Sequence, residues 1–316
     1  MASTDLQNGR RSIEEAIKPP TLAERMARYR LIMQDALGEL YKSKTALIGA
    51  LMLVSLLIVL LLTPIIAKYD PVKQDYTAFR QDASAEHYFG TDRYGRDIYS
   101  RVLWGGRRLV SIAIFAVIFG LAIGIPYGVL SGYYGGWVDS IGMRAVDGLL
   151  AFPGILLYLL IVTLAREWHL EGFWNDLILI FALGFAFFPE AARLVRSSVL
   201  IEKQKEYVEA SHTIGESNLY IAMRQILPNC LSPLIVNATV RLGFVILIIA
   251  ALSFLGLGTP PPTPDWGADL SAAREHMESN PMIAVYPGLA ICYTVLAFNL
   301  FGDGLRDIID PRMAER

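Results

Sequence analysis

Six stretches of this chain carry almost no charge over lengths that cross a bilayer, and that leaves few folds open to it. Residues 45–67, 109–131 and 282–301 hold no Asp, Glu, Lys or Arg. Residues 145–165 hold only Asp147 and residues 232–256 only Arg241, while residues 175–195 carry Asp176, Glu190 and Arg193 near their ends. About 20 apolar residues in a helix cross roughly 30 Å of hydrocarbon. Soluble core helices seldom repeat at such lengths. Hydrophobic residues make up 54% of the chain and charged residues 18%, which overrides the two soluble domains that length alone would suggest. The expectation is an all-α integral membrane protein with six transmembrane helices in the lipid bilayer.

Basic residues orient the spans. With both termini inside, the cytosolic segments hold 17 Lys and Arg and the outer segments ten, eight of these in the loop over 68–108. The net charge of −2 points to no nucleic-acid partner, and the polar first forty residues contain no cleavable signal peptide. Cys230 and Cys292 suggest neither a disulfide framework nor a metal site, and His87, His169, His212 and His276 are scattered. The chain contains no G-x-x-x-x-G-K-[S/T] phosphate loop, so it is not an ATPase, and no nucleophile–base constellation is visible. No catalytic residue is expected.

Against this apolar background, residues 204–228 form a polar, helix-forming insert far longer than a loop between two spans requires. Tyr207, Ala210, Ser211 and Ile214 fall on one helical face. Gly215 suits a helix stop, Ser217 suits the cap of a second helix over 218–227, and Pro228 suits a boundary or kink. Pattern alone leaves two readings: an amphipathic pair lying on its own protein or on lipid, or a handle for a partner.

The order Glu209-Ala210-Ser211, Gly215, Ile226-Leu227-Pro228 resembles the EAA signature of permease subunits of bacterial ABC importers, with Ser211 at a position more often alanine. The resemblance continues through His87-Tyr88-Phe89-Gly90-Thr91-Asp92, Gly95-Arg96-Asp97, Ala151-Phe152-Pro153 and Ser253 to Gly258. It ends in Pro261-Pro262-Thr263-Pro264, Trp266-Gly267, Asn299, Gly302 to Asp307 and Asp310-Pro311. Together these are similar to the C-type permease of oligopeptide, dipeptide and nickel importers; the first forty residues match nothing. The resemblance implies a type I importer permease fold in the cytoplasmic membrane, with a cytosolic coupling helix carrying Glu209, Ala210, Ser211, Gly215, Leu227 and Pro228. It implies a sister permease, two ATPase subunits that hold ATP and Mg, and an extracytoplasmic binding protein, with no cofactor and no metal on this chain. The expected organisation is a cytosolic segment at 1–44, a first span at 45–67, an outer loop at 68–104, a core at 105–304 and a cytosolic tail at 305–316.

Other residues carry two readings each. Gly120, Gly124, Gly128 and Gly132 line one helix face, either a moving seam or static packing, and Pro126 lies within that span. Arg241 either lines a cavity or reaches back to the interface; Asp147 and Glu190 sit near cytosolic ends, with Arg144 the local partner expected for Asp147. The loop over 258–281 joins a proline run to mixed charge. It serves either as a receptor-docking surface, with Pro262, Asp265, Trp266, Asp269 and Arg274 as contacts, or as a stiff turn with an interfacial helix. The charges of Asp92, Arg93, Arg96 and Asp97 either face a receptor or fold on each other. The reading is a non-catalytic permease importing peptides by alternating access. Nickel or an oligosaccharide is the competing cargo, and a secondary transporter or channel with broken helices the competing class.

Overall fold

Backbone polar groups in hydrocarbon have no water to bond, so a spanning segment satisfies them within itself as a helix. The computed structural model describes residues 43–167, 172–278 and 280–309, together with Gly38. The expected 1–44 segment, the Asp310-Pro311 pair and most of the expected tail fall outside these residues. The helices are α1 (Lys44–Ile66), α2 (Ile98–Tyr134), α3 (Gly136–Leu150), α4 (Gly154–Arg166) and α5 (Phe173–Glu202). They continue with α6 (Glu206–Thr213), α7 (Asn218–Phe254), α8 (Trp266–Ala273) and α9 (Met282–Ile309).

Five helices are each long and apolar enough to cross a membrane among the described residues. The expected third span differs. It is a pair, α3 and α4, bent by 82° at Ala151-Phe152-Pro153. Proline restrains its own φ and pushes the preceding residue out of the helical region, so the break falls where the sequence places Pro153. A broken helix was the mark of the competing transporter class; here it is one bend at a proline.

The helices also run longer than the apolar stretches. At 1.5 Å per residue, α2 is about 55 Å long. It begins at Asp97, whose side chain accepts from Ser100 N, and passes Pro126 without stopping. The excursion from 68 to 97 folds on itself: Arg96 pairs with Asp92 at 2.6 Å, and His87 Nδ1 lies 2.9 Å from Asp97. Arg93 instead crosses to Glu275 of the 258–281 loop at 2.8 Å.

The most extensive helix contact joins α2 and α5. A Cβ at Gly120 would lie 2.6 Å from Phe187 Cδ1, at Gly124 2.7 Å from Ala191 Cβ, and at Gly128 2.5 Å from Ala192 O. The glycine repeat is therefore a seam filled by the small face of α5. Around it pack Ile112, Ala116, Phe187, Ala191, Ile246 and Phe298 of the main core. Elsewhere, α1 lies on α9 through Gly49 and Gly304, and α7 on α9 through Gly243 and Gly302.

Widening the seam is costly. Overpacking a close contact costs about 1–3 kcal/mol. Gly128→Val is expected to lower the detergent-solubilised thermal midpoint by several degrees. Gly148→Ala, with open space around its Cα, leaves that midpoint within error. Equal midpoints for the two variants in differential scanning fluorimetry would refute the seam.

Candidate functional site

Most of the candidate residues fall on three features of the fold: the 203–228 loop, a cavity within the bundle, and the 258–281 loop.

The loop begins with α6, whose first turn carries Glu206 and Glu209 at the positive end of the helix. It stops at Gly215, where φ is +84°. Gly215 N donates to His212 O at 3.1 Å and Glu216 N to Ser211 O at 3.1 Å, the paired bonds of a glycine-terminated helix. Ser217 then caps α7 by accepting from Tyr220 N at 3.4 Å. Pro228 does not end this second helix. Residues 221–226 form a wider π turn, with Leu227 N bonding Ala222 O, and the helix continues through Pro228 into the span. Pro228 offers no N–H, and the wider turn just before it absorbs the shift in hydrogen-bond register.

The buried face of α6 also differs from the expected one. Val208 and Ser211 face inward, while Ala210 and Ile214 are exposed. Val208 packs with Val129, Tyr133, Val195, Val199, Ile221 and Ile226. Ser211 Oγ lies 2.7 Å from Gln225 Oε1 and 3.0 Å from Tyr207 O, so the hydroxyl joins both arms of the loop. Tyr207 OH donates to Glu202 at 2.9 Å and accepts from Asn229 at 3.3 Å. Tyr133, at the end of α2, donates to Asn218 Oδ1 at 3.1 Å, and Lys203 donates to its carbonyl. The ends of α2, α5 and α7 are thereby tied to α6. Glu209, Ala210, Gly215 and Pro228 remain exposed, with Ile214, Leu219 and Met223 beside them; Leu227 is half-buried.

Glu190 and Arg241 meet. Arg241 Nη2 lies 2.9 Å from Glu190 Oε1, with the guanidinium over Phe187 and Phe244 at 5.1 and 5.5 Å. Both residues line a cavity of 560 Å³ with Phe152, Pro153 and Tyr158. Asp147 stands apart from it and pairs with Arg193 at 2.6 Å, not with Arg144; both partners are exposed, so the pair contributes little.

The middle of the 258–281 loop, over 264–267, is buried. Trp266 is 2% exposed, covers Gly105 and Gly106, and donates to Val102 O at 2.7 Å. Asp265 caps α8 by accepting from Gly267 N and Ala268 N and from Ser253 Oγ at 2.8 Å. Burial pushes its carboxyl above the ordinary range, against the pull of these bonds. Asp269 is held by Arg101, which also donates to Pro71 O and Pro262 O. Of the five expected contacts, Asp265, Trp266 and Asp269 are thus committed within the protein, because the α8 cap and the Arg101 pair hold the loop onto α2. Pro262 and Arg274 are exposed. Arg101, Tyr133 and Tyr158 escaped sequence reading. A tyrosine in the apolar run over 156–160 was a weak signal for Tyr158, and partners over 160 residues distant gave none for Arg101.

Residues 124–315 match the family described as binding-protein-dependent transport system inner membrane component. Residues 32–83 match the N-terminal transmembrane domain of oligopeptide transport permease C, so the similarity reaches into the first forty residues. Over 269 residues the chain is 45% identical to the glutathione transport system permease protein GsiD of Escherichia coli O1:K1, covering 85% of this chain and 86% of that one. The same identity and coverage hold for GsiD of Shigella sonnei. In fold, the chain is similar to inward-facing structures of the MetNI methionine ABC transporter, with TM-score 0.53 and 20% identity over 66% of this chain and 97% of that one.

Proposed function

The chain belongs to the binding-protein-dependent transport system inner membrane components, and on that premise we propose that it passes short peptides through the cytoplasmic membrane. It is an integral inner-membrane permease of an ATP-driven importer with the type I fold. Glutathione, the cargo in the names of its 45%-identical relatives, is itself a tripeptide, which supports the peptide class. The permease works without chemistry of its own. A sister permease completes the path, two ATPase subunits hold ATP and Mg, and an outer binding protein delivers cargo.

The observation that carries the coupling role is the loop over 203–228. Its inner side is bonded to the ends of α2, α5 and α7, while Glu209, Ala210, Ile214, Gly215 and Leu219 face outward. A partner pressing on that surface moves three spans together, as alternating access driven by a rigid lever requires. Leu227 and Pro228 join the loop to the span, and Pro262 with Arg274 offers the remaining surface for the binding protein. Both termini lie in the cytosol, supported by the basic bias. Reporter fusions at residues 212 and 270 should read inside and outside; a cytosolic signal at 270 overturns the topology.

Valine is strongly disfavoured at the positive φ of Gly215, by about 1–2 kcal/mol. The Gly215→Val permease is expected to insert and assemble but to lose most cargo-stimulated ATP hydrolysis, with Gly215→Asn falling less. Full stimulation in the valine variant would sink the coupling role. For the cargo, liposomes holding all partners and ATP should accumulate labelled di- and tripeptides only when the binding protein is present. Saturation of that protein by nickel or a sugar, with a peptide panel inert, would overturn the peptide assignment.

A further inference from the structure

The cavity between α3, α4, α5 and α7 holds an arrangement of polar groups that helix packing does not explain. Tyr158 is 1% exposed, and its hydroxyl has no hydrogen-bond partner among the described residues. Buried hydroxyls are nearly always bonded, since an unbonded one forfeits its hydration without return. Arg241 is in a similar position. One terminal nitrogen reaches Glu190 at 2.9 Å, yet the buried Nε has no partner among the described residues. Phe187 and Phe244 flank the guanidinium, at 5.1 and 5.5 Å from the ring centroids, and restrict its reorientation. Both residues line the same cavity of 560 Å³, and Glu190 lines it with them, its side chain 45% exposed.

The unused groups specify a ligand class. Arg241 Nε can only donate and the Tyr158 hydroxyl donates readily, so an acceptor with several lone pairs satisfies both. A carboxylate does so and competes with Glu190 for the guanidinium. Displaced Glu190 then faces the open part of the cavity and needs a cation. A neutral sugar supplies no charge to replace the broken pair, and a bare metal ion leaves Arg241 unpaired. A zwitterion exchanges one ion pair for two and keeps the cavity neutral overall.

We propose that this cavity is a transient way-station for the charged ends of a peptide, with Arg241 and Tyr158 receiving a carboxylate and Glu190 an ammonium group. The proposal rests on the peptide reading of the cargo. It adds that the permease, and not only the binding protein, distinguishes free from blocked peptide ends.

The test uses the complete transporter in liposomes, with the binding protein saturated by a labelled dipeptide or by its C-terminal amide. The readout is the ratio of acid to amide uptake within each variant, so a general loss of turnover cancels. The wild-type ratio is expected well above one. Arg241→Gln should reduce it about tenfold, the loss of one charge-assisted hydrogen bond. Tyr158→Phe should reduce it by a smaller factor, and that isosteric change decides the matter if the glutamine variant fails to assemble. A wild-type ratio that persists in Tyr158→Phe and in any assembled Arg241→Gln complex overturns the site alone. Failure of the wild-type complex to import either peptide form overturns the peptide reading and this assignment with it.

Discussion

Two helices approach so closely along Gly120, Gly124 and Gly128 that a methyl group on any of the three would collide with the partner. This contact between α2 and α5 organises the rest of the bundle. Lipid tails are as apolar as leucine, so burying apolar surface does little to hold helices together in a membrane; close backbone packing does. The seam makes α2 and α5 one body. At one end of α2, Asp97 accepts from Ser100 N and pairs with His87, tying the outer excursion to the helix. At its other end Tyr133 bonds Asn218 of the coupling loop. Through Tyr133, and through Trp266 packed on Gly105 and Gly106, this single rod touches both loops on which partners are proposed to act.

Charge follows the same geometry. Asp176, Glu190, Arg193 and Arg196 all lie on α5, and each pairs with a different residue of a neighbouring helix. Asp176 meets Arg108 of α2, Glu190 meets Arg241 of α7, and Arg193 and Arg196 meet Asp147 and Asp139 of α3. The span with the most charge is thus paired to three different helices. The exposed Arg193–Asp147 pair is weak, and its value lies in orientation more than in stability. The Glu190–Arg241 pair differs because it lines a cavity with Tyr158.

Much of this was legible along the chain. Apolar runs located every span, since hydrocarbon imposes helices on any stretch long enough to cross it. Gly215 and Ser217 announced a helix stop and a cap, because both act through their own backbone or the next few residues. The glycine spacing announced a seam. Other features were not legible. Pro153 breaks its span by 82° whereas Pro126 and Pro228 lie within continuous helices, and nothing local separates these outcomes. The buried face of α6 is set by Val129, Val195 and Val199, which come from two other helices. Asp265, Trp266 and Asp269 read as surface residues within a polar loop, yet they cap, pack and pair inside the protein.

The sequence by itself determined that the chain spans a membrane with helices, where those helices lie, and, through ordered motifs, to which family it belongs. Each of these depends on local composition or on the order of short segments. The tertiary structure alone decided which charge meets which, which face of the coupling loop is left for a partner, and that Tyr158, Glu190 and Arg241 share one cavity. Those facts depend on distances between side chains far apart along the chain, 32 to 83 residues for the cavity trio and 168 for Arg101 and Asp269. Such distances are set by the α2–α5 seam and the bend at Pro153, and no local pattern encodes them.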